Sequence, residues 1–388
     1  MIRCGAFCFA ADAERTEAAV KTGSRIAVAG AKLRVVDAPR EAKGKIVTLE
    51  YAGSGLPAVH GWMSEGGQGE YSMLSQTESG LEARRDYCGT RPLYFGSSGS
   101  WVASDHRFFP GEKKELLPRG ARLSVSADKV LVEGQRGVRF EGSFEDAAAK
   151  LAAFVRESVE ARVAGKRRVA VAFSGGLDSS MVAHCASYKT KVVACCVAAE
   201  GSTDSKVARE AASILGLEFV GVKADAKAVK TELLGMDLPF EPSAMDRSLW
   251  CIYSMTSRLA AESGAETVML GQMADELFGG YAKYEAAMKR EGEAEAGRMM
   301  SEDVDQCGLR GLVRDEAACR RWCEPRFPFA QKEVAAFGES LPVSFKIRDG
   351  ARKAVLREAA SLLGLPGEIA SKPKKAAQFS SGLMKLLG

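Results

Sequence analysis

The segment Val169–Ser180 reads VAVAFSGGLDSS, and no other stretch narrows the fold of this chain as much. A short, unbroken apolar run is the signature of a strand buried on both faces rather than on one. It ends in Ser174-Gly175-Gly176, and a helical pattern begins near Asp178. Glycines let a backbone turn sharply and approach a ligand closely. The N–H groups that open a helix then point at whatever lies above the strand end, and they bind anionic oxygens. The same texture continues downstream. Lys191–Ala198, Glu218–Val222 and Thr267–Leu270 read as strands, and Ser179–Ser187, Ser205–Leu215 and Leu249–Ser263 as the helices among them. Such alternation predicts an α/β fold with a parallel sheet covered on both faces. Ligands are then expected beyond the carboxyl ends of the strands.

The first third of the chain is different. Residues 1–140 are rich in glycine and carry short apolar runs at Lys45–Tyr51, Pro92–Phe95 and Arg122–Val125, a pattern of antiparallel strands. An amphipathic helix pattern over Phe144–Ala164 and a basic break at Lys166–Arg168 open the second part. Two domains are therefore expected, at 1–140 and 143–388, and a length of 388 residues agrees with that number. A net charge of +4 is too small to argue for nucleic acid by itself. No apolar run approaches the roughly 18 residues of a membrane span. The opening MIRCGAFCFAADAER is too short and too soon acidic for a secretory signal. A soluble, cytoplasmic protein is expected. The ten cysteines include no CxxC pair, and Cys185, Cys195, Cys196 and Cys251 sit in apolar runs, as reduced buried thiols do. The CxxxC spacings at Cys4/Cys8 and Cys319/Cys323 are weak evidence for a metal. Three histidines, His60, His106 and His184, leave little material for a Ser-His-Asp triad.

A carboxylate at Asp178 is out of place in a loop that only binds phosphate, because like charges repel. It makes sense if Mg²⁺ lies between it and the phosphates. A second acidic loop follows the strand at Thr267–Leu270: Val268–Tyr284 reads VMLGQMADELFGGYAKY and carries Asp275 and Glu276. Asp275 could complete the coordination begun by Asp178. Equally, the pair could be an acidic helix start favoured by the helix dipole.

Two resemblances bear on that choice. SGGLDSS resembles the SGGxDS pyrophosphate loop of the ATP pyrophosphatases and lacks the lysine of the GxxxxGK[ST] loop. LGQMADELFGGY resembles the GxGADELFGGY element of asparagine synthetases. Together they identify the chain as similar to the asparagine synthetase and β-lactam synthetase family. The resemblance implies a parallel-sheet ATP pyrophosphatase domain preceded by a smaller antiparallel α+β domain of the N-terminal-nucleophile kind. It implies an AMP-forming ligase that uses ATP and Mg²⁺ to adenylylate a small-molecule carboxylate, and then passes the acyl group to an amine or ammonia. Asp178 and Asp275 would be the Mg²⁺ ligands, and Ser174, Gly175, Gly176 and Ser179 would hold the pyrophosphate. Gly271 would lie near the nucleotide. Asp204, in a turn resembling the family's SPD, is expected at the mouth of the site, and a plain helix cap explains it equally well.

Toward the carboxyl end, Cys323–Phe329 (CEPRFPF) resembles the family's ExRxPFLD segment, Lys353, Leu356 and Arg357 match its K-x-x-LR helix, and Lys372-Pro373-Lys374 resembles its RPK. Lys374 would take the place of the lysine that neutralises charge as the acyl-adenylate forms. Asparagine-forming members carry a glutamate where this chain has Gln272, and glutamine cannot take a proton at neutral pH. The β-lactam synthetases carry a tyrosine there, acting with a glutamate of the ExRxPF segment. This chain has Glu324 without the tyrosine, so neither base arrangement is complete. Glu324 is the candidate base if burial raises its pKa, and otherwise the incoming amine must arrive unprotonated.

Asp86–Gly96 (DYCGTRPLYFG) resembles the DxxGxKPLYY strand of class II amidotransferase domains. Complete ones carry a cysteine directly after the initiator methionine, whose free amine is its base. Here position 2 is Ile2, the first cysteine is Cys4, and neither RHRG nor NGEIYN occurs. A relic domain without glutaminase is expected. Other readings are an ATP pyrophosphatase acting on a macromolecule such as a tRNA or a peptide, and a non-catalytic nucleotide-binding partner. A nucleic-acid partner finds no support in the sequence, and a homodimer is compatible with it.

Overall fold

The computed structural model describes residues 139–371 and 382–387 in full. Before residue 139 it describes residues 2–4, 8–10, 28–30, 32–36, 48–51, 58–63, 69–77, 80–96, 101–106, 113–126 and 129–133. It divides into two compact units, Met1–Arg136 and Gly137–Gly388. No helix among the described residues is long and apolar enough to cross a membrane.

The first unit is built of strands. They are β1 (Ile2–Cys4), β2 (Cys8–Ala10), β3 (Val28–Gly30), β4 (Lys32–Val36), β5 (Thr48–Tyr51), β6 (Ala58–Met63), β7 (Gly69–Thr77), β8 (Gly80–Arg85), β9 (Tyr94–Gly96), β10 (Trp101–Ala103), β11 (Lys114–Leu116), β12 (Arg122–Ser126) and β13 (Lys129–Glu133). They form sheets in the orders β1-β6-β7-β8-β12-β13, β11-β9-β10-β2 and β3-β4-β5, with antiparallel pairing throughout. The DYCGTRPLYFG segment is a largely buried turn that runs into β9. The Asp86 carboxylate accepts from the Cys88, Thr90 and Tyr71 N–H groups and from the Thr90 hydroxyl at 2.6 Å. The Arg85 guanidinium donates to the carbonyls of Arg91, Leu117 and Gly89 at 2.7–2.8 Å. A buried charge must be saturated with hydrogen bonds to be tolerated, and these two residues bond to backbone groups and to the Thr90 hydroxyl.

The second unit holds a five-stranded sheet in the order β16-β15-β14-β17-β18. Its strands are β14 (Arg168–Ala172), β15 (Lys191–Ala199), β16 (Glu218–Ala224), β17 (Thr267–Met269) and β18 (Glu324–Arg326), and every pair is parallel. The described helices are α1 (Phe144–Val163), α2 (Leu177–Ser187), α3 (Asp204–Ile214), α4 (Ala226–Leu234), α5 (Ala244–Glu262), α6 (Ala274–Phe278), α7 (Ala282–Glu291), α8 (Glu293–Gln306), α9 (Leu312–Arg320), α10 (Lys332–Ser340), α11 (Val343–Lys346), α12 (Ala354–Leu362) and α13 (Gly367–Ala370). The strands at 168, 191, 218 and 267 and the helices between them stand where the apolar patterning puts them, within a few residues. Right-handed crossovers place the helices after β14 and β15 on one face and the crossover from β16 to β17 on the other.

Capping fixes two of the helix starts. Ser143 and Asp146 close a capping box on α1, and Ser243 and Asp246 close another on α5, each satisfying orphan N–H groups of the first turn. Both apolar faces of the sheet are covered, so β15 is buried at every residue after Lys191. Trp250, Ile252 and Met255 of α5 pack with Val197, Val229 and Leu383. Each such burial contributes about 1.5–3 kcal/mol. The strand order reverses direction between β14 and β17, so the loops that follow these two neighbours flank a crevice at their carboxyl ends.

Candidate active site

A cavity of about 790 Å³ opens at that crevice, within the usual size of a small-ligand site. Ser174, Asp178, Ser179, Asp204, Gly271 and Asp275 all line it. Of the residues singled out in the sequence, these six are thus gathered around one space. Gly175 and Gly176 form the turn between Ser174 and α2.

The turn is built around Gly175, whose φ is +70°. A Cβ there would lie 2.8 Å from the Val207 carbonyl oxygen and 3.0 Å from the Ala208 Cα, so only glycine lets the loop tuck against α3. Helix α2 begins with no side-chain cap, so its first N–H groups are not taken up by a capping side chain. The Ser174 and Ser179 hydroxyls stand 3.2 Å apart beside them. This is an arrangement of donors suited to phosphate oxygens.

The second loop comes close because Gly271 has no side chain: a Cβ there would be 3.0 Å from the Asp178 Cβ. Met273 takes the left-handed conformation, φ 71°, and turns the chain into α6, which carries Asp275 and Glu276. Asp178 and Asp275 then meet at one cation. The Lys353 Nζ lies 2.6 and 2.7 Å from the two Asp178 carboxylate oxygens and 2.7 Å from the Asp275 Oδ1. The ammonium is a stand-in for Mg²⁺ in one respect: it shows that two carboxylates from different strand ends converge on a single positive charge. Hard oxygen donors in that number, with phosphate completing the shell, suit Mg²⁺. Among the described residues no group of three His, Cys, Asp or Glu side chains forms a closed metal cage. The Cys319 and Cys323 thiols donate to the Tyr253 and Ala265 carbonyls.

Next to this pair, the Tyr281 hydroxyl donates to the Glu276 Oε1 at 2.6 Å. Burial and the neighbouring Asp275 charge push the Glu276 carboxyl up to about 7. Beyond it the cavity has a charged lobe. The Gln272 amide donates to the Asp315 carboxylate, which also accepts from the Arg314 Nε at 2.7 Å. Arg314 and Arg310 donate to the two oxygens of Asp246, each at 2.9 Å. Arg310 rides on a π-helical turn, Cys307–Gly311, that joins α8 to α9, a kind of irregularity common at functional sites.

Glu324 is placed apart from this cluster. It pairs with Thr267, the first residue of β17, and so stands toward the amino end of the sheet. Its carboxylate accepts from the Arg326 Nη1 at 2.7 Å, and it is not among the cavity's lining residues. Lys374 lies outside the described residues, and of Cys4 only the strand backbone is described. The sequence reading assigned no role to Lys353, although the K-x-x-LR match already marked it. Its signal was a position in a motif, and no side-chain chemistry told where the ammonium would point.

Comparison with known proteins adds the family context. Residues 150–306 and 291–385 match the asparagine synthase family. A Methanocaldococcus jannaschii protein described as asparagine synthetase (glutamine-hydrolyzing) 1 is 31% identical over 394 aligned residues, covering 82% of this chain and 69% of that protein. Asparagine synthetase (glutamine-hydrolyzing) 1 of Lotus japonicus is 27% identical over 344 aligned residues, covering 81% of this chain and 57% of its own length. Asparagine synthetase domain-containing protein 1 of Mus musculus is 34% identical over 131 residues, 32% of this chain and 21% of that one. The chain therefore spans only part of each of these relatives.

Proposed function

Because the chain belongs to the asparagine synthetase family, we propose that it is an ATP-dependent carbon–nitrogen ligase that forms AMP and pyrophosphate. A carboxylate oxygen of the substrate attacks the α-phosphorus of ATP, and pyrophosphate leaves. A nitrogen nucleophile then attacks the acyl carbon of the adenylate, and AMP leaves. The observation that carries this reading is the meeting of Asp178 and Asp275 at one cation position beside the glycine turn.

In this reading Ser174, Gly175, Gly176 and Ser179 hold the pyrophosphate portion through hydroxyl and backbone N–H donors. Gly271 lies near the nucleotide, where it lets the second loop close against the start of α2, and Asp204 stands at the rim. Asp178 and Asp275 hold Mg²⁺, which supplies charge neutralisation to the phosphates when bound. By its match to the family's RPK, Lys374 supplies the cation that neutralises charge as pyrophosphate leaves, and such charge stabilisation is often the largest catalytic contribution. With the Gln272 amide committed to Asp315 and Glu324 outside the cavity lining, the nucleophile enters as the neutral amine. Residues 1–136 serve as a relic amidotransferase domain, and the nitrogen comes from ammonia or from an amino group of the substrate.

The test is a pyrophosphate-release screen with Mg-ATP across small carboxylates, each with and without ammonium. At least one carboxylate should release pyrophosphate and AMP in equal amounts. Asp178→Asn and Asp275→Asn should each lower that rate by roughly 10²-fold or more, as removal of a site's electrostatic stabilisation typically does. A chain that splits ATP to ADP and phosphate, or variants that keep the wild-type rate, would refute the reading.

A further inference from the structure

Lys353 is held where a lysine is costly to hold. It is 1% exposed, and its backbone is left-handed, φ 60° and ψ 33°, a conformation that side chains other than glycine take rarely. Two pieces of chain keep it there. A hairpin of β19 (Ile347–Arg348) and β20 (Ala351–Arg352), turned by Asp349 and Gly350 at φ 51° and 73°, delivers it to the start of α12. The Arg352 Nη1 donates to the Gly280 carbonyl at 2.8 Å and so ties the hairpin to the acidic loop. Gly280 leaves the space: a Cβ there would lie 2.5 Å from the Lys353 Cε and 1.8 Å from the Asp275 Oδ1. The ammonium ends between the two carboxylates that the reading above assigns to the metal.

We propose that Lys353 is a resident cation of the metal site, which holds Asp178 and Asp275 together while nucleotide is absent and thereby keeps free divalent ions out. The inference rests on Asp178 and Asp275 being metal ligands. Its physics is Coulombic. Two carboxylates bring a charge of about −2, and the ammonium cancels about half of it. A divalent ion entering alone meets a weakened field and a like charge a few ångströms away. A triphosphate arrives with several negative charges and gives Lys353 new partners, so the metal binds with the nucleotide. The long, flexible lysine stem suits such a change of partner, where a rigid guanidinium fork would not.

The experiment titrates Mn²⁺ into the full chain and follows free Mn²⁺ by electron paramagnetic resonance, with and without α,β-methylene-ATP. It uses the wild type, Lys353→Met, Lys353→Gln and Asp178→Asn. Without nucleotide, the wild type should bind Mn²⁺ at least about tenfold more weakly than Lys353→Met, because removal of one charge at contact distance shifts affinity by that order. With the analogue, wild type and Lys353→Met should both take up Mn²⁺, and Asp178→Asn should not. Equal affinity of nucleotide-free wild type and Lys353→Met overturns the proposal. Should Lys353→Met fail to fold by near-ultraviolet circular dichroism, Lys353→Gln, which keeps the polar stem without the charge, decides by the same comparison. Failure of the underlying metal assignment looks different: wild type with analogue takes up no Mn²⁺, or Asp178→Asn takes it up as well as wild type.

Discussion

The Glu276 carboxyl shares its loop with Asp275 and accepts the Tyr281 hydroxyl. Burial and Asp275 raise its pKa to about 7 in the folded protein. A carboxyl raised above its unfolded value binds an extra proton in the folded state. Its contribution to stability is therefore fully present below the unfolded value and is lost as pH rises through the window from about 4.5 to about 7. Glu276→Gln keeps the acceptor oxygen for Tyr281 and removes the titration. The variant should gain on wild type by on the order of 2 kcal/mol between pH 5 and pH 8, read by urea unfolding at both. Parallel pH profiles for the two proteins would remove the argument. Glu276 was legible only as an acidic neighbour of Asp275, because proximity and burial, which set its proton affinity, are properties of the folded loop.

Among the elements, α5 shows how one residue serves two structures. The Asp246 carboxylate closes the capping box with Ser243 and accepts from both Arg310 and Arg314. Burial opposes its ionisation, and these hydrogen bonds outweigh that and hold its pKa at about 2. Asp246→Ala removes the carboxylate half of the capping box, leaving the Ser243 hydroxyl on the residue 246 N–H, and leaves the buried Arg314 short of one partner. We expect a loss of about 2–4 kcal/mol in chemical denaturation. A loss below about 1 kcal/mol would mean that Arg314 is satisfied by Asp315 alone. Helix α5 was legible in part, over Leu249–Ser263, whereas elements such as α4, β18 and the π-helical turn escaped the sequence patterning. Strand β18 is Glu-Pro-Arg, which has no apolar run; it forms because β17 offers an unpaired edge, and an edge strand tolerates proline. The π-helical turn at Cys307–Gly311 is one residue too many in a helix, and helical periodicity does not register it.

For the whole molecule, the question is where the nitrogen comes from. A glutaminase of the N-terminal-nucleophile kind uses a terminal α-amine as the base for its own thiol, and the glutamine-binding elements RHRG and NGEIYN do not occur in this chain. With the cognate carboxylate and Mg-ATP, glutamine should support amide formation at roughly a hundredth or less of the rate seen with ammonium, since an amide nitrogen without activation is a poor nucleophile. Product assays with isotopically labelled glutamine and ammonium would measure both, and comparable rates would restore a working amidotransferase. At this scale the sequence by itself determined the parallel sheet, the glycine turn and the two acidic loops, because buried strands, glycine conformations and helix starts leave local patterns of residue type. Only the tertiary structure decided that Lys353 joins Asp178 and Asp275, that Gln272 donates to Asp315, and that Glu324 stands toward the amino end of its strand. Those facts depend on strand order and register, which bring together residues as far apart as 178 and 353, and no local pattern encodes a distance between them.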